Sequence, residues 1–141
     1  MNLPELLISL CGNTLYPLKL IGKKYHISLS QLLCIHAIPI DGVTQTQLAD
    51  LLSLDVSTLS RNLDKLEMKD IIVKQSVKHD NRFCKIFLTQ YGQELFHNIL
   101  ADFTKYIRGL CLSNSNIEIQ IIIDSLENLN WNILKTKSTN V

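Results

Sequence analysis

The side chains with binding chemistry are concentrated in one stretch. Against 13 Asp and Glu, the 141 residues include 14 Lys and Arg, a formal net charge of +1. Half of those basic residues fall within 25 positions: Arg61, Lys65, Lys69, Lys74, Lys78, Arg82 and Lys85. With four acids among them, residues 61–85 carry a net charge of +3, while 1–60 and 86–141 each carry −1. A local cationic patch of this kind suits phosphate. It overlaps Ser57-Thr58-Leu59-Ser60-Arg61, whose three hydroxyls and guanidinium can hydrogen-bond to a planar polar partner.

Other chemistries find little support. There is no glycine-rich phosphate loop, no G-x-S-x-G turn and no close carboxylate or Cys/His group, so no enzyme and no cofactor are expected. Cys11, Cys34, Cys84 and Cys111 form no C-x-x-C pair, and His26, His36, His79 and His97 include no i, i+4 pair. Neither a disulfide framework nor a metal site is expected. The apolar run Leu6 to Cys11 lacks a preceding Lys or Arg and has bulky Leu10 before the cysteine, unlike an export signal. The expected compartment is the cytoplasm, with the thiols reduced and acting as small apolar filler. The 25 Leu and 17 Ile are dispersed, without a membrane-length run. With 46% hydrophobic and 19% charged residues, five Gly and three Pro, the chain reads as one globular folding unit.

Capping patterns place the helices that carry these residues. Ser28-Leu29-Ser30-Gln31, Thr44-Gln45-Thr46-Gln47 and Ser115-Asn116-Ile117-Glu118 are capping boxes, and Asp55 is an N-cap acid without the reciprocal partner. Leu32, Leu33, Ile35 and Ala37 follow Ser28 until Pro39; Leu48, Leu51 and Leu52 follow Thr44. After Asp55, the spacing of Val56, Leu59, Leu63 and Leu66 predicts a one-sided helix whose other face carries Ser57, Ser60, Arg61, Asp64 and Lys65, with Thr58 near the edge. Residues 71–77 and 83–88 read as two strands, joined by Lys78-His79-Asp80-Asn81-Arg82 in a basic hairpin. Thr89 is placed to cap a helix reaching about residue 111, and a final helix spans about 116–135. Residues 3–21 are similarly apolar, with Gly12 and Pro17 expected to bend or divide them.

A short helix, a tight connection through Ser53-Leu54-Asp55, a second helix and a basic hairpin form the order of a winged helix-turn-helix. In such a unit the second helix, here 56–69, enters the major groove of DNA, about 12 Å wide. Ser57, Thr58, Ser60 and Arg61 are then the candidates for base edges, although capping is the competing use of Ser57 and Thr58 in the first turn. Lys65, Lys78 and Lys85 are candidate phosphate contacts or steering charges.

The chain also resembles the MarR family of bacterial transcription regulators. The resemblance rests on Leu48-Ala49, Leu52, Ser57-Thr58-Leu59-Ser60-Arg61, Asp64-Lys65-Leu66-Glu67, Asp80-Asn81-Arg82 and Leu88-Thr89-Gln90-Tyr91-Gly92. It implies a mainly α fold with a small β-hairpin, in which 1–27 and 93–141 form a helical dimerisation domain around a DNA-binding region at 28–92. The partners it implies are double-stranded DNA with a near-palindromic operator and a second copy of the chain. It makes 72–88 the wing, with Arg82 entering the minor groove and Asp80 orienting it. Repression is the expected mode. Two residues depart from the family pattern: Asp70 stands where a glycine commonly follows the recognition helix, and Pro17 lies within the first helix.

Family members respond to small aromatic ligands or to oxidation of a cysteine in the first helix. Cys11 is the candidate redox sensor, with Tyr16 and Tyr25 as donors to its thiolate, set against a buried, inert Cys11. The alternative function is a winged-helix protein-interaction module without specific DNA readout. Salt dependence separates the two, because phosphate binding weakens steeply with salt.

Overall fold

Each helix start is fixed by a side chain that accepts a backbone N–H. A computed structural model describes residues 2–76, 84–111 and 115–139, which fall into two compact units, Met1–Thr104 and Lys105–Val141. In the first unit, α1 (Leu3–Lys24) starts at a capping box formed by Asn2 and Glu5. The boxes at Ser28/Gln31 and Thr44/Gln47 start α2 (Leu29–Ala37) and α3 (Gln45–Leu52), with the two-residue strand β1 (Val43–Thr44) just before the latter. Asp55 caps α4 (Val56–Met68), which leads into β2 (Ile72–Ser76) and β3 (Cys84–Leu88). α5 (Gln90–Leu110) follows, its Gly92 N–H donating to the Thr89 hydroxyl at 2.9 Å.

Two expectations about these elements need correction. Gly12 and Pro17 do not divide the first helix, which runs unbroken for 22 residues. Proline forfeits one N–H donor, and here it is buried in a helix whose ends are both capped. The sheet has three strands rather than the two of a hairpin, in the order β1-β3-β2, all antiparallel. Val43 pairs with Ile86 and Thr44 with Lys85, a strand too short to show an alternating pattern in the sequence. On the other edge Ile72 faces Leu88 and Gln75 faces Lys85.

Helix ends are made without glycine. At the end of α4, Asp70 adopts φ +57, the Asp70 N–H donates to Glu67 O and the Ile71 N–H donates to Leu66 O. This is a Schellman ending. The glycine missing from the family pattern is thus replaced by an aspartate in the same left-handed conformation. His26 (φ +56) and Ser53 (φ +52) end α1 and α3 with the same pair of bonds.

The core of the first unit gathers one face from each element. Leu32, Cys34 and Ile35 of α2, Leu48 of α3, Leu59, Leu63 and Leu66 of α4, Ile72 and Ile86 of the sheet, and Ile99 of α5 are all buried. Cys34 fits the role of apolar filler, and burial pushes its thiol pKa up to about 11. In the second unit, α6 (Asn116–Thr139) begins at the Ser115/Glu118 box, and none of residues 116–137 is buried. Ile117, Ile121, Leu126 and Trp131 are all exposed there. No helix among the described residues is long and apolar enough to cross a membrane.

One close approach explains the glycine of Leu88-Thr89-Gln90-Tyr91-Gly92. A Cβ at Gly92 would stand 2.1 Å from the Ile71 carbonyl oxygen, a backbone atom that cannot swing aside. Gly92→Ala is therefore expected to cost about 1–3 kcal/mol of stability, as other overpacking substitutions do. Thr89→Ala should cost about 1 kcal/mol through loss of the cap. Urea unfolding of both variants against the parent checks the pair.

Candidate nucleic-acid interface

The two faces of α4 are chemically opposite. Leu59, Leu63 and Leu66 show no exposure and fix the helix against the core, while Ser57, Arg61, Asp64 and Lys65 are exposed. Residues four apart lie on one face of a helix, so Ser57, Arg61 and Lys65 form a polar stripe. Thr58 and Ser60 are half-buried at its margins. The left-handed turn at Ser53 sets α4 against α3, completing the helix-turn-helix.

Asp55 organises the leading end of this stripe. Its carboxylate accepts from the Ser57 hydroxyl, from the Thr58 N–H at 2.8 Å and from the Thr58 hydroxyl at 2.7 Å. These bonds, the Ser57 hydroxyl first, hold its pKa well below the usual carboxylate range. Ser57 and Thr58 thus both serve the cap at Asp55. Their protons are committed to Asp55, and each oxygen keeps acceptor lone pairs for an incoming donor. Further along the stripe, the Arg61 Nε donates to the Ser57 carbonyl at 3.4 Å, leaving its terminal nitrogens without a partner among the described residues. Lys65 is exposed and has no partner among the described residues.

The remaining basic residues divide by use. Lys85, on the central strand, is half-buried and donates to the Asp41 carbonyl at 3.2 Å, so it tethers the loop before β1. Lys74 of β2 donates to Asp64 at 3.0 Å and pairs with Glu67 at 3.0 Å, bracketing α4 to the wing. The Lys69 ammonium donates to the His26 carbonyl. Neither structural use of Lys69 and Lys74 is visible in the linear charge count. Lys78, Asp80 and Arg82 lie outside the described residues. Asn62 is a further polar residue that pattern reading missed: it is buried on α4, accepts from the Ser30 hydroxyl at 3.3 Å, and its amide nitrogen has no partner among the described residues.

The redox constellation around Cys11 does not assemble. Cys11 is exposed rather than buried. Tyr25, 14 residues on and thus about 20 Å along the helix, donates its hydroxyl to Asp102 at 2.8 Å. Tyr16 is 68% exposed and five positions from Cys11, off the i+3/i+4 spacing that brings side chains together. Among the described residues no group of three or more His, Cys, Asp or Glu could hold a metal ion.

The low pKa of Asp55 gives a pH test with a definite sign. A carboxylate whose folded pKa is depressed contributes stability above its unfolded value of about 3.9 and loses it as pH falls toward the folded value. Asp55→Ala should therefore melt below the parent by roughly 2–5 °C at pH 6. The gap should narrow as pH falls below about 4. Thermal melts between pH 6 and pH 2.5 measure it.

Comparison with known proteins agrees with this architecture. The MarR family profile matches residues 27–83. The chain is 28% identical over 123 residues, 82% of its length and 73% of the other's, to the uncharacterized HTH-type transcriptional regulator YdgJ of Bacillus subtilis (strain 168). Among solved structures, a MarR family protein from Bacillus stearothermophilus superposes with TM-score 0.80 at 19% identity, covering 95% of this chain and 99% of that one. A MarR-family transcriptional regulator from Listeria monocytogenes, complexed with 26mer DNA, gives TM-score 0.77 at 20% identity, covering 97% and 92%. Motif order, fold and these matches agree: the chain has the winged helix-turn-helix fold, and its residues 27–83 are similar to the MarR family.

Proposed function

We propose that this chain is a cytoplasmic, homodimeric repressor that binds a near-palindromic DNA operator. The observation that carries the reading is the exposed stripe of α4, backed by three fully buried leucines and followed directly by the strands of a wing. Ser57, Thr58, Ser60 and Arg61 meet base edges in the major groove, and Lys65 meets phosphate. Arg82, oriented by Asp80, enters the minor groove, with Lys78 and Lys85 as neighbouring charges. Residues 28–92 form the DNA-binding region. Dimerisation through 1–27 and 93–141 is supported by the apolar side chains left exposed on α1 (Leu3, Ile8, Leu20) and on α6.

An effector would modulate this binding. The support is a half-open apolar cavity of about 200 Å³ lined by Leu18 of α1, Leu32 and His36 of α2, and Phe96, Ile99 and Phe103 of α5. It suits a small aromatic molecule whose polar group meets His36.

Fluorescence anisotropy against DNA from upstream of the chain's own gene, and against scrambled DNA of equal length, tests the reading at two salt concentrations. Preferential, salt-sensitive binding is expected; equal, salt-insensitive binding would favour a protein-interaction module. Arg61→Ala should cost roughly 1–3 kcal/mol and relax base preference, whereas Lys65→Ala should weaken all sequences alike and lower the salt slope by about 0.9. Arg82→Ala should weaken DNA binding while light scattering still reports a dimer.

A further inference from the structure

Three consecutive residues at the end of α1 are bonded to two different helices. The Lys24 ammonium and the Tyr25 hydroxyl both donate to one oxygen of Asp102 on α5, at 2.6 and 2.8 Å. The carbonyl of the next residue, His26, accepts from Lys69 at the C-terminal cap of α4. Between these contacts the backbone is over-determined. His26 sits at φ +56, its N–H donates to Lys23 O at 3.1 Å, and the Ile27 N–H donates to Gly22 O at 2.8 Å. Ile27 is itself buried in the core. A Cβ on Gly22 would stand 2.6 Å from the Ile27 carbonyl oxygen, so the turn is closed without slack.

We infer that Lys24-Tyr25-His26 is a positioning link that holds the recognition helix at a fixed angle to α5, with Lys69 and Asp102 as its two anchors. Lys69 is then a positioning residue and makes no phosphate contact. In a dimer whose two reading helices must reach successive half-sites, that angle sets the separation the protein accepts. One base pair of added spacer moves a half-site by about 3.4 Å along the duplex and turns it by about 35°. A rigid link penalises that change, whereas a loosened one tolerates it. The inference rests on the DNA reading proposed above, and the chemistry of the tether is sufficient: a charge-assisted bond from Lys69, and two donors sharing a carboxylate whose side chain is only 19% exposed.

The test uses the full chain and a duplex recovered by the parent protein from a random-sequence pool, remade with one base pair inserted or deleted at its centre. The parent should bind the remade duplexes roughly tenfold more weakly. Lys69→Met and Asp102→Asn should each lose affinity for the original duplex and narrow that penalty to about threefold, through lost preorganisation. Lys69→Arg, which keeps the donor, should restore the penalty. An equal loss on every duplex by Lys69→Met, with the salt slope lowered by about 0.9, would make Lys69 a phosphate contact and overturn the link. A spacing penalty unchanged in Asp102→Asn while its melting temperature drops would reduce the contact to stability alone and also overturn it. A pool that yields no preferred duplex overturns the DNA reading, and the link with it.

Discussion

The backbone of Ile71 is bonded in both directions, to the helix that ends before it and to one that begins 18 residues later. Its N–H donates to Leu66 O and closes α4, while its carbonyl accepts the Thr89 N–H at 3.0 Å, where α5 begins; the Thr89 hydroxyl donates to the neighbouring Asp70 carbonyl at 2.6 Å. One buried residue thus joins the end of α4, the first strand of the wing and the start of α5. The left-handed Asp70 makes this possible by turning the chain sharply enough to bring Ile71 under α5. Gly92 follows from the same geometry, since the approach to Ile71 leaves no room for a Cβ. Moving any one of these elements would leave buried polar backbone groups unpaired, which costs more than the bonds contribute when made.

Charge is partitioned around this junction. Of the seven basic residues in 61–85, Lys69, Lys74 and Lys85 donate to groups of the chain itself, whereas Arg61 and Lys65 present their charged ends outward. Lys74 also screens Asp64 and Glu67, two carboxylates beside the polar stripe of α4. A pair this close to solvent contributes little stability by itself. Its larger consequence is electrostatic: without Lys74 the polar face of α4 would be nearly neutral in sign.

The sequence was most legible where a local rule acts alone. Capping boxes at Ser28, Thr44 and Ser115, the acid cap at Asp55, the leucine spacing of α4 and the strand pair were all readable from side-chain type and period, and they appear as expected. What was not legible depends on contacts across the chain. The strand Val43–Thr44 exists because β3 supplies its partner, and α1 stays continuous through Pro17 because packing and both caps outweigh one missing bond. For the site, the stripe on α4 could be read, whereas the use of Lys69 on a carbonyl 43 positions earlier has no local signature. Asn62 was hidden for the same reason, a polar residue on an apolar face whose partner is in α2.

The N-terminus of α4 also constrains how DNA could be read. A helix N-terminus attracts anions, but here Asp55 already occupies that position, ionised and held by three donors. Under the proposed DNA reading, phosphate is therefore left to side chains such as Lys65 rather than to the helix end. The same bonds direct the hydroxyl protons of Ser57 and Thr58 toward Asp55, so both oxygens face a partner as acceptors. In the major groove the matching donors are the amino groups of adenine and cytosine. Under the proposed DNA reading, Arg61, with donors only, complements them at guanine or phosphate one turn further along. One capping carboxylate therefore fixes the helix start, excludes phosphate from it and sets the hydrogen-bonding sense of its first turn.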